Sequence, residues 1–341
     1  MSNTGLARGI VGGLVGAGAV AGTAAFVMKR RARTVVRTSD VPRGALLRTP
    51  SGAPDELDVR TEDGATLRVR CYGPADGDPI VLVHGWTCST EYWNPQINAL
   101  SEKNRVIAYD LRGHGSSTIG SAALGPDLLA SDLAAVLAAT VDRDRKAELV
   151  GHSMGGMSII AWAERYPEQV AEYASAVLLA STATDNLVAE SLIVPLPARL
   201  PRVPVSVGRA IIGSTMPIVS SPLTAPAVRY IALSPQATRE EVEFCRRIVS
   251  SCHPKARGGW GAALSALDIH EGLANLTVPT SVLVGTADRL TPPSHANRLA
   301  EILDGAGNLE KLIVLPGVGH MTTVEDPDAV NEEIARLRSL G

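Results

Sequence analysis

One order of residue types in this chain suits acyl transfer. Gly151-His152-Ser153-Met154-Gly155 carries a serine with glycine two positions away on either side. A serine hydroxyl is a weak nucleophile until a neighbouring base takes its proton. Asp288 and His320, further along the chain, supply the remaining parts in the order Ser, Asp, His. In this reading His320 takes the proton from Ser153 and returns it to the leaving group. Asp288 holds the imidazole in one tautomer and stabilises its charged form. The developing oxyanion needs fixed donors. The backbone N–H of Met154 is one, and that of Trp86, in His84-Gly85-Trp86, is the natural second. Asp185 is an alternative acid, and His84 reads as a structural hydrogen-bonder rather than a base.

These residues can act together only if regular elements deliver them to one place. Short apolar runs suited to buried parallel strands are Pro79–Val83, Arg105–Tyr109, Glu148–Val150, Ala176–Ala180, Thr280–Val284 and Lys311–Leu315. Leu57–Arg60 and Thr66–Tyr72 alternate around Glu62-Asp63-Gly64, a hairpin pattern. Helical faces lie between most strands. Leu129, Leu133, Val136, Leu137 and Val141 form one, and Met157, Ile160 and Ala161 form another, which Pro167 helps to end. Val330, Ile334 and Leu337 form a last one, opened by Asp326 as N-cap and Pro327. Strands alternating with helices predict an α/β fold with a mostly parallel sheet. The serine then sits in a strand–turn–helix, while Asp288 and His320 follow strand ends at the same edge of the sheet.

Residues 186–275 break the rhythm. They begin Pro-rich, turn helical around Arg239–Ser251, and read as a mainly helical cap inserted between two strands. From Leu192 to Leu233 there are four arginines (199, 202, 209 and 229) and no acid. One reading is a cap packed on the body; the other is a lipophilic substrate wall or membrane-facing surface.

The net charge of −3 conceals a split. Residues 1–50 hold eight Lys/Arg against one acid, Asp40, while the remainder holds 24 bases and 34 acids. An acidic body argues against a nucleic-acid binder. From Gly9 to Met28 no residue is charged, a length that crosses about 30 Å of hydrocarbon as a helix. Gly9/Gly13, Gly12/Gly16 and Gly18/Gly22 add small-residue spacing, and Lys29, Arg30, Arg31, Arg33 and Arg37 follow. The favoured reading is an uncleaved single-pass membrane anchor at residues 1–37, with the domain on the cytoplasmic side because the basic cluster follows the run. A cleaved signal peptide would want that charge before the run. A buried or unstructured Gly/Ala tail is the third reading. Residues 38–54, with Pro42, Gly44, Pro50, Gly52 and Pro54, read as a linker to a domain spanning 55–341.

Cys71, Cys88, Cys245 and Cys252 include no C-x-x-C pair, which argues against a zinc or redox motif. Cys245 and Cys252 are within reach of a pairing, but a cytosolic domain keeps such thiols reduced. No Gly-rich phosphate loop, His-x-x-x-His pair or dinucleotide fingerprint occurs, so neither cofactor nor metal is expected.

The motifs together resemble the α/β-hydrolase family in its capped form. They are His84-Gly85-Trp86, Asp110-Leu111-Arg112-Gly113-His114-Gly115-Ser116-Ser117, the serine turn at Ser153, Gly285–Asp288 and Gly317-Val318-Gly319-His320. The resemblance implies that Asp110–Ser116 is a structural turn rather than part of the chemistry. It also separates subfamilies. Epoxide hydrolases and haloalkane dehalogenases carry Asp where this chain has Ser153, and the former tend to have Pro where this chain has Thr87. Carboxylesterases, lipases, thioesterases, carbon–carbon bond hydrolases and cofactor-free haloperoxidase-like perhydrolases remain. The expected function is therefore a serine hydrolase of carboxylic esters, lipophilic acyl esters favoured. The alternatives are a thioesterase or perhydrolase and, outside enzymes, a membrane-tethered inactive scaffold.

Overall fold

A computed structural model describes residues 43–191, 210, 213–216 and 221–340. The uncharged run 9–28, its basic flank and residues 192–209 of the acid-free segment lie outside the described residues. Among those described, no helix is long and apolar enough to cross a membrane.

The strands are β1 (Asp55–Arg60), β2 (Thr66–Tyr72), β3 (Asp78–Val83), β4 (Asn104–Tyr109), β5 (Ala147–His152), β6 (Ala174–Ala180), β7 (Thr280–Gly285) and β8 (Leu309–Leu315). They form one sheet in the order β1-β2-β4-β3-β5-β6-β7-β8. β1 pairs with β2 in antiparallel fashion, as the hairpin pattern predicts, and β2 also runs antiparallel to β4. All other pairs are parallel. β5 runs further than its apolar residues suggested. All six of its residues are buried between neighbours on both sides, so Gly151 and His152 are carried into the ladder.

Successive side chains along a strand point to opposite faces, and the core divides accordingly. Val81, Val83, Ile107 and Leu149 join one apolar cluster; Ile80, Leu82, Val106, Ala108 and Val150 join the other. Helices α1 (Asn94–Leu100), α2 (Pro126–Thr140), α3 (Met154–Arg165) and α4 (Pro167–Tyr173) follow in turn along the chain. α2 and α3 cover the first face with Leu129, Leu133, Val136, Met157 and Ile160. Pro167 does close α3, but it does so by opening α4 at its first position.

Between β6 and β7 lie α5 (Ala225–Ala232), α6 (Arg239–Ser251) and α7 (Pro254–Leu264). α6 starts with a capping box, in which the Thr238 hydroxyl accepts from Glu241 N–H and Glu241 accepts from Thr238 N–H. Its Val242, Phe244, Cys245 and Ile248 bury into the second cluster. Trp260 of α7 is buried in the first and donates its indole N–H to Arg112 O at 2.9 Å. After β7 come α8 (Pro293–Gly305) and α9 (Pro327–Arg338). Val330, Ile334 and Leu337 of α9 face the second cluster, as their spacing predicts. Asp326 occupies the N-cap of α9, but its side chain makes no capping hydrogen bond; its backbone (φ −142°, ψ 66°) departs from the extended form that capping uses.

Within the stretch expected as a linker, Leu47 is buried, and Asn98 donates to Leu46 O and Arg48 O, at 3.0 and 2.8 Å. Cys245 and Cys252 are not bonded to each other; all four cysteines are free and buried.

Candidate functional site

The turn from β5 into α3 holds Ser153 at φ 53°, ψ −119°, a region non-glycine residues rarely adopt. The glycines around it are there for space. A Cβ on Gly155 would overlap the Val83 carbonyl oxygen, and one on Gly151 would lie 2.6 Å from the Gly156 backbone. The strained serine is tied on both sides. Its N–H donates to Ala180 O at 3.0 Å, and its carbonyl accepts from the Thr182 hydroxyl at 2.7 Å. Met154 begins α3, so its N–H has no acceptor within the helix and remains available.

The loop after β3 runs directly against this turn. A Cβ on Gly85 would sit 3.0 Å from Ser153 Cβ and 2.8 Å from His152 Nδ1. Cys88 N–H closes the turn onto Gly85 O at 3.1 Å, with Thr87 held at φ 65°. The turn therefore carries Trp86 past the serine, and the Trp86 indole donates to Arg257 O of α7 at 2.9 Å.

Two buried histidines support this loop. His84 Nδ1 donates to Gly85 O (2.8 Å) while Nε2 accepts from Leu111 N–H (3.0 Å). His114 Nε2 accepts from Thr87 N–H (3.2 Å) and Nδ1 donates to Arg112 O (3.1 Å). Burial lowers their pKa values to about 4 and about 3, so both are neutral struts. Asp110 accepts from the backbone N–H of Thr90 (2.7 Å) and Ser116 (2.9 Å), and Arg112 is held between Asp132 and Asp63, each at 2.6 Å. These contacts make Asp110–Ser116 a structural turn, as the resemblance implied.

The candidate acid and base, Asp288 and His320, come from the loops after β7 and β8. His320 Nδ1 lies 2.9 Å from Asp288 Oδ2, with both residues buried. Asp288 also accepts from Leu290 N–H, Thr291 N–H and the Thr291 hydroxyl, all at 2.9 Å. A carboxylate gripped by this many donors holds its orientation. Asp185, the alternative acid, is instead paired with Arg298 at 3.1 Å.

His320 and the serine turn meet through His152. His152 Nε2 donates to His320 O at 3.0 Å, and the two rings lie 4.8 Å apart. Burial, with His320 adding to it, lowers the His152 pKa far below the ordinary histidine value, so it serves as a neutral spacer. Among the described residues, Asp288–His320 is a formed hydrogen bond and Ser153–His320 is not. Such contacts often tighten only when substrate binds.

Sequence reasoning missed Thr291 and His152. A threonine three residues after the acid, just before Pro292-Pro293, is the signal that marks the first. The second had only its place inside the serine motif. A cleft of about 280 Å³ lined by Pro79, Arg105 and Asp142 opens at the opposite, amino edge of the strands, away from this chemistry.

The geometry agrees with comparison to known proteins. A family model described as "Alpha/beta hydrolase family" matches residues 80–333. The chain is 29% identical to a non-heme chloroperoxidase of Burkholderia pyrrocinia, over 81% of this chain and 97% of that one. It is 28% identical to a bifunctional esterase/perhydrolase of Acinetobacter calcoaceticus, over 82% and 99%. Among solved structures, the esterase RhEst1 of a Rhodococcus species is similar, with TM-score 0.61, 28% identity and coverage of 84% and 99%. The chain belongs to the alpha/beta hydrolase family.

Proposed function

We propose that this hydrolase cleaves carboxylic esters through an acyl-enzyme on Ser153. The observation that carries the reading is the buried Asp288–His320 pair seated against the strained serine turn. In this mechanism His320 takes the Ser153 proton as Oγ attacks the carbonyl carbon. The N–H groups of Trp86 and Met154 receive the oxyanion. His320, its charge balanced by Asp288, then protonates the departing alcohol. Water repeats the sequence and releases the acid. No step needs a metal or cofactor.

The test is labelling by a fluorophosphonate probe, followed by turnover of p-nitrophenyl esters from acetate to palmitate. Ser153→Ala is expected to abolish labelling and to lower kcat by at least about 10³-fold. An inactive scaffold predicts a folded wild type that never labels.

A second reading, attack on the acyl-enzyme by hydrogen peroxide to give a peracid, is favoured by the chloroperoxidase and esterase/perhydrolase relatives. Peracid formation with acetate and peroxide measures it directly. Thioester turnover tests the remaining alternative.

The preference for lipophilic acyl groups rests on the cap, where Leu223 is 89% and Met216 76% exposed in an acid-free stretch. A steep preference for the acetate ester would overturn it. Residues 9–28 and their basic flank support a single-pass anchor with the domain on the cytoplasmic side. Carbonate washing of membranes, with and without residues 1–37, tests this; equal release of both forms counts against the anchor.

A further inference from the structure

The loops carrying Asp288 and His320 are tied to the end of α5. A helix leaves its last carbonyl groups without intrahelical donors. Here those carbonyls are met by the two loops of the acid–base pair. His320 N–H and Met321 N–H both donate to Ala232 O, at 3.0 and 3.2 Å. Arg289, next to Asp288, donates to Tyr230 O at 2.8 Å and to Leu233 O at 3.4 Å, with its guanidinium 4.7 Å over the Tyr230 ring.

One buried side chain spans the seam. Glu325 Oε1 accepts from Gly319 N–H at 3.0 Å, the residue directly before His320, and Oε2 accepts from Ser234 N–H at 2.8 Å, two residues beyond the end of α5. The seam is too tight for any side chain at position 319. A Cβ there would lie 2.6 Å from Glu325 Oε1, from Leu233 C and from Ser234 N. Glu325 is only 3% exposed, and a buried carboxylate is costly unless donors surround it. Burial raises its carboxyl to about 7; the donors at Ser234 and Gly319 oppose the rise, and Glu241 of α6 adds to it. An apolar residue would fill the space at less cost, so the carboxylate answers to its two oxygens and the two backbones they grip.

We propose that Glu325 is the positioning residue that locks the cap to the base-bearing loop, setting His320 in register with Ser153 through the Gly319 and Ser234 N–H groups. The proposal rests on the Ser153 acyl-enzyme reading and extends it to a residue that touches no reacting atom. The carboxamide of Glu325→Gln keeps one acceptor and turns an N–H₂ toward a backbone N–H, so one of the two grips is lost. Displacement of a catalytic group by about 1 Å can cost roughly 10²-fold in rate.

The experiment compares the full chain with Glu325→Gln and Glu325→Asp. It measures kcat and KM on p-nitrophenyl acetate per site titrated with fluorophosphonate, the rate of that labelling, and the melting temperature. Glu325→Gln is expected to lower kcat and the labelling rate together by about 10–100-fold, with KM within about threefold. Glu325→Asp, which keeps both acceptors on a shorter arm, is expected to recover part of the loss. Rates per titrated site within about twofold of wild type in a folded Glu325→Gln, or in Glu325→Asp where Glu325→Gln does not fold, would overturn the proposal. If Glu325→Gln does not fold, the Glu325→Asp rates decide alone: a parallel loss of kcat and labelling supports the proposal. A wild type that never labels removes the Ser153 reading and this proposal with it. A labelling wild type beside an unimpaired variant removes only the role of Glu325.

Discussion

Strand β5 ends in two different ways. At its carboxyl end, the loops around Ser153 bury polar groups, and most of those groups have partners. Asp288 has donors from Leu290, Thr291 and His320, and His84 and His114 use both ring nitrogens. At the amino end, Glu148 is equally buried, yet neither carboxylate oxygen has a hydrogen-bond partner, and burial raises its pKa well above the ordinary value. The carboxyl end buys orientation by satisfying its polar groups, whereas the amino end tolerates one unsatisfied acid by keeping it protonated.

The largest effect is expected at the satisfied acid. Asp288→Asn should lower kcat by roughly 10³–10⁴-fold, since an amide no longer favours the needed histidine tautomer. Asp185→Asn should change kcat less than about threefold, because Asp185 faces Arg298. Equal losses in the two variants would break the assignment of the acid.

Acidification sharpens the contrast next. His84 and His114 have folded pKa values of about 4 and about 3, below the ordinary histidine value of about 6.5. The unfolded chain therefore binds protons first as pH falls. Their contribution is intact above about 6.5 and is lost progressively down to about pH 3. The unfolding free energy from urea titration should drop through that window by roughly a few kcal/mol. A flat profile would mean these rings are not buried neutral.

Gly155→Ala probes the steric side of the same edge. Its methyl overlaps the Val83 carbonyl, so a loss of about 1–3 kcal/mol in urea stability is expected, with labelling slowed as the turn shifts.

The smallest effect lies at the other end of β5. Glu148 binds its proton more tightly folded than unfolded, so its burden is absent below the ordinary carboxylate pKa and grows as pH rises. Glu148→Leu should therefore stabilise by about 1–2 kcal/mol at pH 7 and by less at pH 4, without altering kcat. Destabilisation at pH 7 would show that the carboxyl group has a partner after all.

Much of the site was legible because its constraints are local. A Cβ at position 151 meets the backbone of the turn itself, at Gly156, while one at position 155 meets the Val83 carbonyl of the neighbouring β3, so the serine motif carries one constraint of its own and one set by the sheet. Strand ends and chain order then put Asp288 and His320 on the same edge. Alternation predicted the β1–β2 hairpin, and the apolar runs predicted the parallel strands, their ends shifting where neighbours extend the ladder. By itself, then, the sequence determined the fold class, the strand-end placement of the three candidate catalytic residues and the glycine the turn itself requires at position 151, since each follows from sterics or period within a few residues. Only the tertiary structure separates the surroundings of Asp288 and Asp185, because both follow a strand and folding sets His320 beside the first and Arg298 beside the second. It alone also revealed Thr291 over the acid and Glu325 between the base loop and the cap. Glu325 meets Ser234 across 91 positions of chain, and a hydrogen bond spanning that distance leaves no local pattern to read.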